Sequence, residues 1–214
     1  MRSKPFSVLI ALILALFALT ASIAVPILCR PFYYAHINAL DLPEKTGWTY
    51  EQIKDAFDEM MDFELKGTEF GTGDLAWSES GKSHFADCRV LFLLDLRLFA
   101  ATGIVLLLLL LYYRHTKSRP ALLAGRGPSF WAAVILLISI GGFALFAVSD
   151  FDRAFALFHT IFFPGKTNWI FDPRKDQIIL ILPEEFFRNC GILVVALLAV
   201  FLAVYLRIGR KKRQ

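Results

Sequence analysis

Four apolar runs punctuate the chain, at positions 6–29, 90–113, 130–148 and 189–206. A helix crossing the hydrocarbon core of a bilayer needs about 20 residues at about 1.5 Å rise each, and every run reaches that length once its flanks are included. The pattern predicts an all-α integral membrane protein with four transmembrane helices, at 6–29, 89–113, 129–149 and 188–206. Between them lie a long segment at 30–88, a short loop at 114–128 and a second long segment at 150–187, with a tail at 207–214. Inside the long segments the pattern changes to that of amphipathic helices. Ile53, Phe57, Met60 and Met61 recur at helical spacing behind Thr49 and Gln52, which stand at capping-box separation. Asp55, Asp58, Glu59 and Asp62 fall between them, so the apolar face must rest on the membrane interface or on the other long segment. Gly67, Gly71 and Gly73 predict a loose loop leading to Trp77 and His84. In the second segment Phe151, Phe155, Phe158 and Phe162 repeat at helical spacing, with Asp150 as cap and Pro164-Gly165 as terminator. Residues 168–171 and 178–182 read as short extended pieces around a turn at 172–175, and Pro183 stands at the first position of the last helix.

Charge placement orients this plan. Arg2 and Lys4, then Arg114, Lys117, Arg119 and Arg126, then Arg207, Arg210, Lys211, Lys212 and Arg213 make up 11 of the 23 basic residues. The segments carrying them hold none of the 19 acidic residues, which all fall at 41–95 or 150–185. The positive-inside rule then puts both termini in the cytoplasm and both long segments outside the cell membrane. Topology accounts for the basic residues, so nucleic-acid binding is disfavoured. At 57% apolar residues and a mean hydropathy of +0.55, an ordinary soluble domain is excluded. The first run is too long for the apolar region of a signal peptide and reads as an uncleaved anchor. Leu28 before Cys29 is not the small residue of a lipid-attachment site, so the chain is not expected to be a lipoprotein itself. Cys29, Cys88 and Cys190 all fall at span ends, where they read as small apolar residues; whether any two form a disulfide stays open.

Candidate chemistry gathers at the outer ends of the spans. His84, Asp87, Leu91 and Asp95 share one face of a helix that begins near Ser83. The stretch 158–187 packs His159, four acids and six Phe into a connector between two spans, which suits a site at a lipid surface better than a tether. His84 and His159 come from different segments, and imidazole is the side chain matched to proton transfer near neutral pH. One such histidine alone usually just completes an interfacial hydrogen bond; two in the same setting shift the balance toward function. Asp87 either orients His84 or caps its helix. Glu184 reads as a first-turn acid paired with Arg188, and Asp172 before Pro173 as a turn starter. His84, Asp87, His159 and Glu184 lack recognised metal-ligand spacing, so neither metal nor other cofactor is expected. Serine- or cysteine-hydrolase and nucleotide-loop motifs are absent from the sequence.

Phe158-His159, 169–173 (Trp-Ile-Phe-Asp-Pro), Asp176 and 182–187 (Leu-Pro-Glu-Glu-Phe-Phe) together resemble the bacterial lipoprotein intramolecular transacylase family of low-GC Gram-positive bacteria. The stretch 83–89, with His84 and Asp87 at the mouth of the second span, is similar to that family's second motif, with Cys88 where Val is more usual. The motifs cover about a fifth of the chain, while the four-span plan covers all of it. The resemblance implies an acyltransferase. It would move the sn-2 acyl chain of an S-diacylglyceryl-cysteine lipoprotein to that protein's own α-amino group and leave a lyso-form lipoprotein. The implied site has His84 and His159 as an acid/base pair, Asp87, Asp172 and Glu184 in supporting positions, and Arg89 or Arg153 as oxyanion or headgroup donors. Phe155, Phe158, Phe162 and Trp169 would line an acyl groove. The expected partners are a diacylated lipoprotein and membrane lipid, the expected form a monomer, and the expected place the outer-leaflet face of the cell membrane. A non-enzymatic assembly or sensory protein and a membrane lipid-ester hydrolase are the competing readings.

Overall fold

The computed structural model describes residues 3–209, with side chains throughout except at positions 140 and 143–148. Arg2 and the basic cluster Arg210, Lys211, Lys212 and Arg213 lie outside the described residues. Among the described residues there are nine helices and no strand: α1 Lys4–Leu28, α2 Arg30–Ala39, α3 Leu42–Thr46, α4 Tyr50–Lys66, α5 Glu79–Thr116, α6 Pro128–Ser149, α7 Phe151–Phe162, α8 Ile178–Ile181 and α9 Glu184–Gly209. α1, α5 and α9 are long and apolar enough to cross a membrane. α6 coincides with the third predicted span, and its described apolar stretch is Pro128–Ser139.

The chain divides into two compact units. One comprises residues 1–24, 95–150 and 193–214. Its core is built from small residues and a few large ones: Ala15, Ala18, Ala132 and Ala133 with Leu136, Leu198 and Tyr205. Small side chains let helix backbones approach closely, which matters where lipid removes the usual hydrophobic drive for association. Tyr205 donates its hydroxyl to the Leu14 carbonyl at 3.0 Å, and Phe17 packs on Phe99 and Phe201 at 5.5 and 6.0 Å between ring centroids.

The other unit, residues 25–94 and 151–192, joins the two long segments. α4 carries the expected capping box, with the Thr49 side chain accepting from the Gln52 N–H and the Gln52 side chain from the Thr49 N–H. Its apolar face, Ile53, Phe57, Met60 and Met61, is buried, and α4 packs on α2, α3 and α8. Of the two supports the sequence allowed, the second long segment is therefore one. Tyr33 of α2 lies flat on Phe57 at 3.7 Å and donates its hydroxyl to the Ile181 carbonyl of α8 at 2.8 Å. Arg30 pairs with Asp58 at 2.9 Å and also with Asp62.

Five local expectations change. Residues 178–181 are helical rather than extended, with Leu182 as the cap: Ile178, Ile181 and Leu182 are buried while Leu180 is 41% exposed, a helical and not a strand period. With no strand to pair with, a helical turn is how this apolar run meets its own backbone hydrogen bonds, as Leu180 N–H to Gln177 O at 3.0 Å. Residues 168–171 likewise form turns and bends. α5 starts at Glu79, four residues ahead of Ser83, and Pro183 precedes α9 by one position. The glycine loop is not loose. Phe70, Thr72 and Leu75 are buried, and the Gly73 N–H donates to the Glu59 carboxylate at 2.8 Å.

Glu64 of α4 is 1% exposed, and both carboxyl oxygens lack a partner among the described residues. Burial pushes its pKa up to about 8, against the pull of Arg89. The folded state keeps this proton where the unfolded chain releases it, so the contribution to stability is full below about pH 4.5 and is lost as pH rises through about 8. Thermal melts in detergent should therefore show a midpoint that falls from about pH 6.5 to about pH 8. Glu64→Gln should flatten that slope; an unchanged slope would refute the buried-acid account.

Candidate active site

The second unit brings together one end of α5, the last two turns of α7 and the loop 163–177. The loop is clamped to the entrance of α5 by Asp176, which is 4% exposed. It accepts from the Ser78 N–H and the Ser78 hydroxyl, both at 2.8 Å. Alongside, Ala76 and Gln177 exchange two bonds: Ala76 N–H to the Gln177 side-chain oxygen at 2.7 Å, and Gln177 N–H to the Ala76 carbonyl at 2.9 Å. Gly81 allows the approach, because a Cβ there would stand 2.2 Å from Asp176 Oδ1 and 3.2 Å from Phe171 Cε1.

His84 follows one turn into α5 and meets His159 of α7, their ring centroids 5.6 Å apart. They are 5% and 6% exposed, so both rings are nearly sealed from water. Phe163 and Phe171 pack on His84 at 5.1 and 5.5 Å. Trp169 stacks on His159 at 4.5 Å and Phe155 lies at 4.3 Å. His159 Nδ1 contacts the Phe155 carbonyl at 2.8 Å; a carbonyl only accepts, so Nδ1 carries the proton and Nε2 a lone pair. His84 Nε2 contacts Cys88 Sγ at 3.4 Å, and His84 Nδ1 is buried without a partner among the described residues. Both rings lie outside the segments 89–113 and 188–206 that the sequence assigns to the membrane. Burial lowers the His84 pKa to about 4, with His159 and Lys166 adding to the effect and Asp87 opposing it. Burial also lowers that of His159, against its bond to Phe155. Two neutral imidazoles thus face one another at neutral pH.

Asp87 does not hydrogen-bond His84. Its carboxylate is held by the Lys166 ammonium and by Asn168 Nδ2 at 3.1 Å, and Asn168 Nδ2 also reaches Ser83 Oγ at 3.3 Å. Burial works against the charged form of Asp87, but Lys166 and Asn168 outweigh it and hold its pKa below the usual range. Asp87 acts on His84 through charge and through the loop it anchors.

The other candidates scatter. Arg89 donates to the Phe63 carbonyl and lies over the Phe63 ring at 5.8 Å, which commits it to the C-terminal turn of α4 rather than to the histidines. Arg153 is exposed on α7, six residues before His159 and so about 120° around the helix from it. Asp172 pairs with Arg174 at 3.0 Å, which lowers its pKa, and its backbone carbonyl accepts from the Lys175 and Asp176 N–H groups in the turn. Glu184 is exposed beside Asp152, and the hydrogen bond between the two acids raises its pKa. The aromatic stripe divides. Phe155 and Trp169 pack on His159 and Phe158 meets it edge-on at 5.4 Å, while Phe158 and Phe162, 38% and 50% exposed, continue an apolar surface with Leu157 and Ile161. Lys166, Asn168, Ser83 and Asp176 carry no role that the sequence assigns, since their partnerships close over gaps that no local pattern reveals; Cys88 stands one helical turn from His84, a spacing that helix geometry alone brings together. Among the described residues no three His, Cys, Asp or Glu side chains converge as a metal site would require, and Cys29, Cys88 and Cys190 are free thiols.

The same arrangement of helices occurs in a solved membrane protein. The membrane-integral lipoprotein intramolecular transacylase Lit from Bacillus cereus superposes with a TM-score of 0.82 at 21% identity, over 96% of this chain and 95% of that one. Two forms of that protein with a histidine substitution also match. The alanine variant gives a TM-score of 0.75 at 20% identity, over 94% of this chain and 91% of that one. The arginine variant gives 0.71 at 22% identity, over 94% and 88%. Identities this low show a shared fold. No curated protein sequence matches the chain. The model of the family described as lipoprotein intramolecular transacylase Lit matches residues 8–187, a stretch that includes both long segments, His84, His159 and the Asp176 clamp. On that match the chain belongs to the lipoprotein intramolecular transacylase Lit family.

Proposed function

We propose that His84 and His159 catalyse transfer of the sn-2 acyl chain of an S-diacylglyceryl-cysteine lipoprotein to the α-amino group of the same cysteine. The family supplies the coarser statement: the chain is an intramolecular transacylase acting on lipoproteins, an acyltransferase of the membrane. The observation that carries the finer reading is the histidine pair, two rings 5.6 Å apart, buried among Phe155, Phe163, Trp169 and Phe171 and contributed by two separate segments. O-to-N transfer needs a base that is neutral near pH 7 and a donor for the developing oxyanion. A desolvated pair of neutral imidazoles meets both needs. Ester and amine belong to one molecule, so holding them together supplies much of the acceleration.

The exposed face of Leu157, Phe158, Ile161 and Phe162 is suited to acyl chains of the bilayer. Acidic and basic residues segregate along the sequence as a four-span protein with both termini in the cytoplasm requires, which would set the histidines at the outer leaflet of the cell membrane. A monomer suffices, since one chain supplies both rings.

The test is mass spectrometry of a diacylated lipoprotein incubated with the purified protein in lipid. N-acylation together with loss of one chain from the glycerol is the expected product. Free fatty acid with an unmodified amine would mean a hydrolase, and an unchanged lipoprotein would favour a binding protein.

A further inference from the structure

The geometry points to Cys88 as a positioning residue that fixes the tautomer of His84, making His84 a neutral hydrogen-bond donor to the reacting carbonyl and leaving the proton relay from the attacking nitrogen to the glycerol oxygen to His159. This inference rests on the transacylase reading above and divides its labour between the two rings.

The contact between Cys88 Sγ and His84 Nε2 is 3.4 Å, across one turn of α5. Two hydrogen placements are open to it. A thiol is a weak donor and its sulfur a weaker acceptor, whereas an imidazole nitrogen with a lone pair is a good acceptor, so S–H donates to Nε2. Burial of the thiol pushes its pKa up, so the sulfur keeps its hydrogen. In a neutral imidazole the bond made at one nitrogen decides where the proton sits, so the His84 proton stays on Nδ1. Nδ1 is the atom without a partner among the described residues, a donor left for a ligand. Neither charged neighbour competes for the ring, since Asp87 is engaged by Lys166 and Asn168. His159 is set the opposite way. Its Nδ1–H is taken by the Phe155 carbonyl, and the nitrogen left for chemistry is the bare Nε2.

A neutral imidazole is a poor acid but a sound electrophile, able to polarise a carbonyl without surrendering its proton. The steps then balance. The α-ammonium gives one proton to water, and its nitrogen attacks the ester carbon. The new C–N bond forms as the C=O pair moves onto oxygen, where it accepts from His84 Nδ1–H. His159 Nε2 takes the second proton from nitrogen. The oxygen pair returns, the C–O bond to glycerol breaks, and the glycerol oxygen takes the proton back from His159. Ester and amine become amide and hydroxyl, and both rings end as they began.

The test is ¹⁵N NMR of the full chain labelled with ¹⁵N-histidine, in micelles at neutral pH, with ring signals assigned by loss in His84→Gln and His159→Gln. Both rings should carry the proton on Nδ1. Cys88→Val should shift the His84 proton toward Nε2 and lower kcat roughly tenfold with KM unchanged, the scale on which outer partners of a functional imidazole act. Cys88→Ser, which restores a donor, should recover both. A native His84 ring protonated on Nε2, or one whose tautomer is indifferent to Cys88→Val, overturns the proposal. The NMR readout needs no turnover, so failure of the tautomer is distinguishable from failure of the transacylase reading, which the lipoprotein mass spectra report.

Discussion

His159→Ala is expected to abolish measurable lipoprotein N-acylation, a loss of about 10²–10⁴-fold for removal of a general base. His84→Ala should lose about 10²–10³-fold, the scale of a missing oxyanion donor. Both variants should still bind a diacylated lipoprotein, because lipid contact falls to the aromatic and aliphatic side chains around the rings. The pH profile separates these effects from a general loss of structure. His159 must be neutral to accept a proton, and burial lowers its pKa from the ordinary imidazole value of about 6.5. Rate should therefore rise with pH toward the α-amine value of about 8, with loss from a protonated histidine setting in at a lower pH than an ordinary imidazole would give. The same depression affects stability. His84 is neutral in the folded state down to about pH 4, so its part of the stability is intact above about 6.5 and is lost as pH falls toward 4. His159, Asp87 and Lys166 are the titratable groups that act on it. Wild-type activity in both alanine variants, measured on the same lipoprotein, would sink the assignment of the pair.

Asp176→Ala is the second large effect, although Asp176 touches neither histidine ring. Its carboxylate holds the backbone N–H and the hydroxyl of Ser78, and bonds of this charged kind are worth about 1.5–3 kcal/mol each. Losing both should lower stability by about 3 kcal/mol or more and release the loop that carries Trp169 and Phe171 onto the histidines. Activity should fall with it, while Asp176→Asn, which keeps an acceptor, should be milder. Gly81→Ala is a test from the other side of the clamp, since the added Cβ would collide with the Asp176 carboxylate. A thermal melt and an N-acylation assay on these variants decide the matter: unchanged melting and activity in Asp176→Ala would show that the clamp is not what holds the site.

What could be read from the sequence was whatever acts over a few residues or over a full helix length. Hydropathy runs yield α1, α5 and α9 because burying a helix in lipid needs only length and apolar composition. The Thr49 and Gln52 cap is legible because both partners lie within one turn. His84 and His159 stood out because two separate segments each bring an imidazole to a span end, where one alone would usually just complete an interfacial hydrogen bond. Short apolar runs were ambiguous. Ile178–Ile181 could be strand or helix on composition, and only the surrounding side chains, which bury Ile178 and Ile181, decided for a helix.

The partners of the site are a different kind of information. Asp176 finds Ser78 across 98 positions, Lys166 finds Asp87 across 79, and Tyr33 finds the Ile181 carbonyl across 148. Such pairs depend on how segments from two long connectors pack, and a side chain's charge or shape names many possible partners equally well. Arg89 shows the cost of guessing: next to Asp87 and Cys88 in sequence, it turns to the Phe63 carbonyl in space. The sequence by itself determined the long helices and the family resemblance, and it singled out the two histidines as candidates. Tertiary structure alone decided that the rings face each other and that Asp87 is held by the loop through Lys166 and Asn168. The physical reason is that composition and periodicity act locally, whereas hydrogen-bond pairing at a buried site is settled only when distant segments exclude water together.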